Sequence, residues 1–190
     1  MKEIKIISVE ENNNPQFIKT KKIVFEREGK PAFWEAVKQH DSVHIVVNNV
    51  SSKKIIMVKQ VRIPVLINDD SQNGEVYEMC AGIVDKAKDL IQIAREEVLE
   101  ELGYDVPTEN IQFIKEIKSS VGSAGSSANA YYVEVQDEHK VSDGGGLHDE
   151  DIEVIEISYE DIDKFIYGSL HTDAITLFLL MFAKHEKNLK

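Results

Sequence analysis

An apolar stripe runs along residues 90–102 of the sequence with helical spacing. At about 100° per residue its members fill an arc roughly 120° wide, the face that a helix turns toward a core. The stripe consists of Leu90, Ala94, Val98 and Leu102. Asp89 followed by Gln92 predicts a capping box at the start of the helix, and Gly103 predicts a left-handed residue at its end.

Three carboxylates fall where this helix meets the core. Glu101 lies inside the apolar arc, Glu97 lies at its edge, and Glu100 projects just beyond Glu97. A carboxylate desolvated beside apolar neighbours is costly unless it is paired or metal-bound. Either Arg62 or Lys59 from a neighbouring strand neutralises these groups, or a metal ion does. Clustered oxygen donors without a His/Cys grouping favour Mg²⁺ or Mn²⁺.

Most of the remaining sequence predicts β-structure. The β-rich runs are residues 42–47, 54–63, 76–79, 111–117, 130–135 and 152–157. Residues 17–33 predict a hairpin around Gly29, and residues 174–183 predict a buried terminal helix that begins at Thr172 or Asp173. The irregular order of strands and helices indicates an α+β fold with a mixed sheet. We expect a small β unit over residues 1–38 and the main domain over residues 39–190.

Composition excludes several partners. The formal net charge of −12 argues against nucleic acid, because binding to its backbone needs clustered Lys and Arg. The most apolar run, residues 174–183, is too short for a membrane span, which needs roughly 20 residues. Cys80 is the only cysteine, so no internal disulfide forms, and the N-terminus lacks a secretory pattern. A cytoplasmic location is therefore the default expectation.

The spacing of residues 82–104 resembles the Nudix box. That pattern is Gly, five residues, Glu, seven residues, Arg-Glu, an aliphatic residue, any residue, Glu-Glu, any residue, Gly and an aliphatic residue or similar. The matching positions are Gly82, Glu97, Val98, Glu100, Glu101, Gly103 and Tyr104. Two positions depart, since Lys88 replaces the first Glu and Glu96 replaces the Arg. In the family those two residues support the loop and helix, so no role passes to Lys88 or Glu96.

Beyond the box, the sequence resembles the nucleoside diphosphate sugar branch of the family, and most closely UDP-glucose pyrophosphatases. The similar passages are Trp34 and residues 40–43, 58–62, 77–82, 120–122 and 144–147. The resemblance implies an α/β/α sandwich preceded by a small β domain that helps to form a homodimer. It also implies a nucleoside diphosphate sugar as substrate.

The resemblance implies the site residues as well. Mg²⁺, or Mn²⁺ in its place, would be held by Glu97, Glu100, Glu101, the carbonyl of Ala81 and Glu150. Glu101 and Glu150 are the candidate catalytic residues, with His148 and Asp149 as alternatives to Glu150 for activating water. The candidate substrate-binding residues are Trp34, Arg62, Glu78, Ser120 and Gly122. The run of three glycines, residues 144–146, suggests a mobile segment that brings Glu150 over the substrate.

Some of these residues also have plain structural interpretations. Arg62 either holds a phosphate or pairs with Glu78, and Trp34 either stacks on a base or packs in an interface. Two other functions also remain open. ADP-ribose hydrolysis to AMP and ribose 5-phosphate uses the same layout, and the departures at Lys88 and Glu96 are consistent with a non-catalytic nucleotide-binding domain.

Overall fold

The computed structural model describes residues 4–16, 18–147 and 150–189. Its strands are β1 (Thr20–Arg27), β2 (Lys30–Val37), β3 (Ser42–Asn49), β4 (Lys54–Val61), β5 (Glu75–Glu78), β6 (Cys80–Ile83), β7 (Gln112–Ser119), β8 (Ser126–Val135) and β9 (Glu153–Ser158). Its helices are α1 (Ile63–Asn68), α2 (Leu90–Leu102), α3 (Ile162–Tyr167) and α4 (Ala174–Glu186).

One mixed sheet forms the centre of the molecule. In the part of the chain that the structure describes, it has seven strands with the central order β5-β4-β3-β8-β7, while β6 pairs with β3 and β9 pairs with β4. Strand β3 runs parallel to β8 and antiparallel to β4 and β6. The predicted pairing of β3 with β4 is confirmed, with Val47 opposite Ile56.

The sheet is covered on both faces, which is why its central strands are apolar at nearly every position. Successive side chains of a strand point to opposite faces. Ile45 of β3 therefore packs in the cluster that contains Val98 of α2, whereas the next residue, Val46, packs in the cluster that contains Leu179 of α4. This α/β/α sandwich confirms the predicted fold class.

Helix α2 begins and ends where the sequence predicts, but its start is built differently. Gly103 ends the helix with a φ of 77°. The predicted capping box is wrong, because Asp89 makes no side-chain cap and its backbone carbonyl instead accepts the N–H of Gln92 at 2.9 Å. At α4, the Asp173 side chain does accept from the first-turn N–H groups of Ile175 and Thr176, as predicted. No helix among the described residues is both long and apolar enough to span a membrane.

The sequence pattern does not predict two short elements, helix α1 and strand β6. The strand predicted over residues 54–63 ends at Val61, because Pro64 lies in the first turn of the short helix α1. Strand β6 follows β5 after a single residue, Met79, although the sequence predicts only one strand over residues 76–79. This break matters for the site, because it lets β6 leave β4's side of the sheet and pair with β3.

The N-terminal hairpin forms around the predicted turn at Gly29. Its strands run from Thr20 to Val37, whereas the sequence predicts residues 17–33. Its turn residues Glu28 and Gly29 have φ values of 53° and 72°, as in the primed turns that suit two-residue hairpins. Phe17, the predicted first residue, lies outside the described residues. The hairpin is attached to the main body where Val37 N–H donates to the Ser123 carbonyl at 2.8 Å.

We expect Gly103→Ala to destabilise the protein much more than Gly29→Ala. Both glycines have positive φ, but a Cβ at Gly103 would lie 2.1 Å from the Ser142 carbonyl oxygen, while a Cβ at Gly29 would meet nothing within 4 Å. The free energy of unfolding, measured by urea denaturation, is expected to fall by about 2–4 kcal/mol for Gly103→Ala and about 1 kcal/mol for Gly29→Ala. Equal losses would contradict the tight packing of the helix end.

Candidate active site

Glu101 is a buried carboxylate between helix α2 and strand β6. Its side chain is 6% exposed, and its Oε2 accepts the N–H of Ala81 at 3.1 Å. Burial, partly offset by the hydrogen bonds from Ala81 and Cys80, raises the pKa of Glu101 to about 8. The structure therefore brings together Glu101 and Ala81, two of the predicted metal-binding residues.

Glu97 lies one helical turn earlier and packs against the end of β6. A Cβ at Gly82 would lie 2.1 Å from the Glu97 carboxylate carbon, so only glycine leaves room for this side chain. Burial, followed by the negative charges of Glu100 and Glu150, raises the pKa of Glu97 to about 7. The neighbouring negative charges thus oppose the ionisation of Glu97, which a divalent cation would relieve.

The three glycines dock on the end of α2. Gly145 N–H donates to the Glu101 carbonyl at 2.8 Å, and Gly146 N–H donates to the Glu100 carbonyl at 3.1 Å. All three have positive φ, and a Cβ at Gly144 would lie 2.3 Å from the Glu101 carbonyl oxygen. In this structure the segment therefore satisfies carbonyls in the last turn of the helix. The movement of this segment over a substrate stays a prediction.

Glu150 follows this docked segment. Its Oε2 accepts the N–H of Leu147 at 2.8 Å, which folds the side chain back over Gly146. The negative charge of Glu150 acts on both Glu97 and Glu101 and raises the pKa of each. The structure thus places Glu150 in the same electrostatic environment as the helix carboxylates. The alternatives His148 and Asp149 lie outside the described residues.

Neither lysine nor arginine from the neighbouring strand neutralises the helix carboxylates. Lys59 pairs with Glu153 at 2.8 Å, and Arg62 pairs with Glu78 at 2.9 Å. Within residues 4–16, 18–147 and 150–189, no three His, Cys, Asp or Glu side chains are arranged to hold a metal ion. The donor set still suits a hard divalent cation, because Glu97 and Glu101 are carboxylates held at one strand–helix junction with raised pKa values.

Arg62 and Glu78 line a cavity of about 610 Å³ at the edge of the sheet. The guanidinium contacts both carboxylate oxygens of Glu78 through Nε, at 3.3 and 2.9 Å, and Gln60 donates to the same carboxylate at 2.9 Å. The pairing of Arg62 with Glu78 that the sequence left open is thereby confirmed. Burial nevertheless raises the pKa of Glu78, and Arg62 opposes that rise.

Sequence reasoning missed His44 in the same cavity. His44 lies on β3 opposite Ala81 of β6, and its Nε2 lies 2.9 Å from the Ser42 hydroxyl. Burial lowers the pKa of His44, so the imidazole favours its neutral form. No local pattern identifies this residue, because only the pairing of β3 with β6 places it beside Ala81.

Three predicted substrate-binding residues lie elsewhere. Trp34, on the hairpin, is 54% exposed, and its indole N–H donates to the Gly122 carbonyl at 2.9 Å. Ser120 has a φ of 48° and its carbonyl accepts the N–H of Ala124 at 2.8 Å. These three residues therefore lie where the hairpin meets the loop after β7, and they do not line the cavity. The adjacent Ser119 does line it. Their role in binding substrate stays a prediction.

The two residues that depart from the Nudix pattern form an ion pair with each other. Lys88 Nζ lies 2.5 Å from Glu96 Oε1, and Lys86 Nζ lies 3.9 Å from Glu96 Oε2. The contact with Lys88 is the first cause of the lowered pKa of Glu96. The adjacent Arg95 is not part of this pair, because its guanidinium donates to Asp105 and to the Val106 carbonyl.

The structure is an α/β/α sandwich in which the glutamate-bearing helix α2 follows the glycine-containing strand β6 after a short loop, as the resemblance to the Nudix family implies. The comparisons with known proteins agree. The NUDIX domain matches residues 38–178, and the chain belongs to this family. It is an enzyme of the hydrolase class.

Two relatives and one solved structure illustrate the similarity. Uridine diphosphate glucose pyrophosphatase from Bos taurus is 30% identical over 164 residues, covering 73% of each protein. GDP-mannose pyrophosphatase from Salmonella arizonae is 32% identical over 136 residues, covering 72% of this chain and 69% of the relative. The crystal structure of an ADP compounds hydrolase has a TM-score of 0.72 at 12% identity, covering 96% of this chain and 92% of that one. At that identity it supports the fold alone.

We expect Gly82→Ala to expel the Glu97 carboxylate from its position against β6. Because burial is the largest cause of the raised pKa of Glu97, the pKa is expected to fall from about 7 toward its ordinary range. NMR titration of the metal-free protein measures this change. Gly122→Ala is the matched control, since a Cβ there would meet nothing within 4 Å. An unchanged Glu97 titration in Gly82→Ala would contradict the packing.

Proposed function

We propose that the chain hydrolyses the pyrophosphate bond of a nucleoside diphosphate sugar with Mg²⁺, for which Mn²⁺ can substitute. The preferred substrate is UDP-glucose or a related UDP-sugar, and the products are UMP and a sugar 1-phosphate. The observation that carries the proposal is the buried Glu101 carboxylate, bonded to Ala81 on one side and close to Glu97 on the other. Among the described residues no Lys, Arg or His forms an ion pair with Glu101, and a buried carboxylate of this kind fits a cation site.

Glu97, Glu101 and Glu100, together with the carbonyl of Ala81, are the proposed metal ligands. Bound metal ions would neutralise charge on the phosphate oxygens and lower the pKa of a bound water. Glu150 is the proposed base, because its carboxylate acts electrostatically on both Glu97 and Glu101. It would accept a proton from the attacking water as one phosphorus–oxygen bond forms and the bridging one breaks.

The cavity beside Arg62 and Glu78 is the proposed binding place for the nucleotide part. The guanidinium carries five N–H donors, so those that do not bond Glu78 remain for phosphate oxygens. His44 and Ser42 offer neutral hydrogen-bonding groups for a sugar or base in the same cavity. Trp34, Ser120 and Gly122 are proposed to act at the rim, where the hairpin meets the loop after β7.

A second candidate substrate is GDP-mannose, which is supported by the 32% identity to GDP-mannose pyrophosphatase of Salmonella arizonae. The ADP-ribose alternative rests on the shared layout of the sequences. All three substrates contain the same pyrophosphate bond, so the proposed chemistry does not distinguish them. Discrimination depends on how the cavity holds the base and the sugar.

We expect Glu101→Gln to lose nearly all turnover while the protein stays folded. Removing a principal metal ligand typically costs about 10²-fold or more in rate. Release of sugar phosphate from UDP-glucose, GDP-mannose and ADP-ribose with Mg²⁺ provides the measurement. Glu160→Gln, which changes an exposed glutamate near α3, is the matched control and should leave turnover intact. Undiminished activity in Glu101→Gln would show that the metal site is elsewhere.

Activity of the unaltered protein on none of the three substrates would overturn the proposed substrate class. A protein that binds Mg²⁺ and these nucleotides without cleaving them would be the non-catalytic binding domain that the two departures suggested. The ranking of the three specificity constants decides between the UDP-sugar and its alternatives.

The N-terminal hairpin is proposed to join two copies into a homodimer in the cytoplasm. A two-stranded hairpin is marginal on its own, and this one exposes large apolar side chains on both faces. Val24 is 69% exposed and Phe33 is 59% exposed, and these two residues pair across the strands. Apolar groups displayed in this way are typical of a surface that a partner covers.

Light scattering is expected to give a mass of twice the 21.5 kDa of the chain. Phe33→Glu is expected to shift the protein toward monomer, because it places a charge in the proposed interface. Tyr167→Glu alters a residue that is 76% exposed at the end of α3 and serves as the control. A monomeric unaltered protein would refute this assembly.

A further inference from the structure

Strand β6 and the loop that follows it contact helix α2 at two consecutive residues. On β6, Gly82 packs against the Glu97 carboxylate. In the loop, Lys88 Nζ lies 2.5 Å from Glu96 Oε1. These two contacts together set how the chain between Gly82 and Lys88 lies against the helix.

The ion pair has the opposite polarity to the Nudix pattern. The pattern places a glutamate at position 88 and an arginine at position 96, whereas this chain has Lys88 and Glu96. Two departures that each look damaging in the sequence therefore amount to one exchange of sign between two residues that are in contact in this chain. We propose that the Lys88–Glu96 pair is a reversed positioning contact that holds the loop on α2 and thereby fixes Glu97 for metal binding.

The construction of the helix start supports this assignment. Asp89 makes no side-chain cap, so the loop lacks the side-chain fastening that usually fixes a helix N-terminus. Residues 85–89 are exposed, so burial does little to hold them. At the start of the loop, Val84 packs against the core. Within the exposed residues 85–89, the contact of Lys88 with Glu96 is the shortest ion pair, with Lys86 as a weaker second cation on the same carboxylate.

The pair is partly exposed, with 42% of the Lys88 side chain and 29% of the Glu96 side chain accessible. Exposed ion pairs contribute little to global stability. Its effect is therefore expected in metal affinity and turnover rather than in the unfolding midpoint. The inference rests on the proposed function for its kinetic part only, because metal binding is measured separately.

A double-mutant cycle tests the proposal. Lys88→Glu places a second carboxylate beside Glu96, and Glu96→Arg places a cation beside Lys86 and Lys88. Each single variant is expected to bind Mn²⁺ about fivefold more weakly by calorimetry and to lower kcat for UDP-glucose by about fivefold or more, with KM changed less than about twofold. The double variant restores an ion pair and is expected to return to within about twofold of the unaltered protein.

Charge alone predicts a different pattern. If Lys88 and Glu96 acted only through long-range electrostatics, Lys88→Glu would strengthen Mn²⁺ binding and Glu96→Arg would weaken it. Opposite signs in the two singles would therefore overturn the proposal. So would single variants that both match the unaltered protein, or a double variant as impaired as the two singles combined.

The pair Lys54–Glu156 is the matched control, because it also has a 2.5 Å separation and similar exposure. It joins β4 to β9 at the opposite end of β4 from Arg62. Lys54→Glu and Glu156→Lys are expected to leave Mn²⁺ affinity unchanged, and a loss as large as that of Lys88→Glu would overturn the assignment. If a reversal variant fails to fold, Lys88→Gln and Glu96→Gln test the contact without like charges. The double Gln variant is then expected to be no more impaired than either single variant, and additive losses would overturn the proposal.

The two proposals fail in distinguishable ways. An unaltered protein that binds Mn²⁺ but cleaves no nucleoside diphosphate sugar removes the proposed function, while the Mn²⁺ cycle still decides the ion pair. An active protein whose double variant is not rescued removes the positioning contact and leaves the function standing.

Discussion

The hydrogen bond from Ala81 N–H to Glu101 is the constraint on which the rest of the site depends. It places a carboxylate inside the junction of β6 and α2, where burial raises its pKa to about 8. Such a group is unfavourable for folding by itself. The surrounding core, from Ile45 on the sheet to Val98 on the helix, supplies the apolar burial that tolerates it. The stability of the sandwich thus offsets the free-energy cost of burying the Glu101 carboxylate at the candidate site.

Local sequence patterns predicted the helices and turns whose formation depends mainly on residues close together in the sequence. The apolar stripe and Gly103 gave helix α2 its correct bounds, and the turn at Gly29 gave the hairpin. Features set by tertiary contacts were missed. Strand β6 is too short to stand out, and His44 becomes relevant only because β6 pairs with β3. The capping box at Asp89 failed because the backbone carbonyl bonds to an N–H that the pattern assigned to the side chain.

The candidate site residues also form two groups, those predicted from helical geometry and those predicted from resemblance. Glu97 and Glu101 follow from helical geometry, and the structure places both at the strand–helix junction. Trp34 and Gly122 were chosen by resemblance, and the structure joins them to each other away from the cavity. The reciprocal change at Lys88 and Glu96 is visible in the sequence as two departures. Only the structure shows that these two side chains are in contact.

The last strand of the sheet comes late in the sequence. Strand β9 completes it by pairing with β4, and the Lys54–Glu156 pair that joins them spans 102 residues of sequence. Glu150 immediately precedes this last strand. During synthesis on a ribosome, the helix carboxylates are therefore made well before the segment that brings Glu150 to them. The electrostatic interactions of Glu150 with the helix can therefore form only after residue 150 has been synthesised, and the pairing of β4 with β9 is a long-range contact of the kind that slows folding.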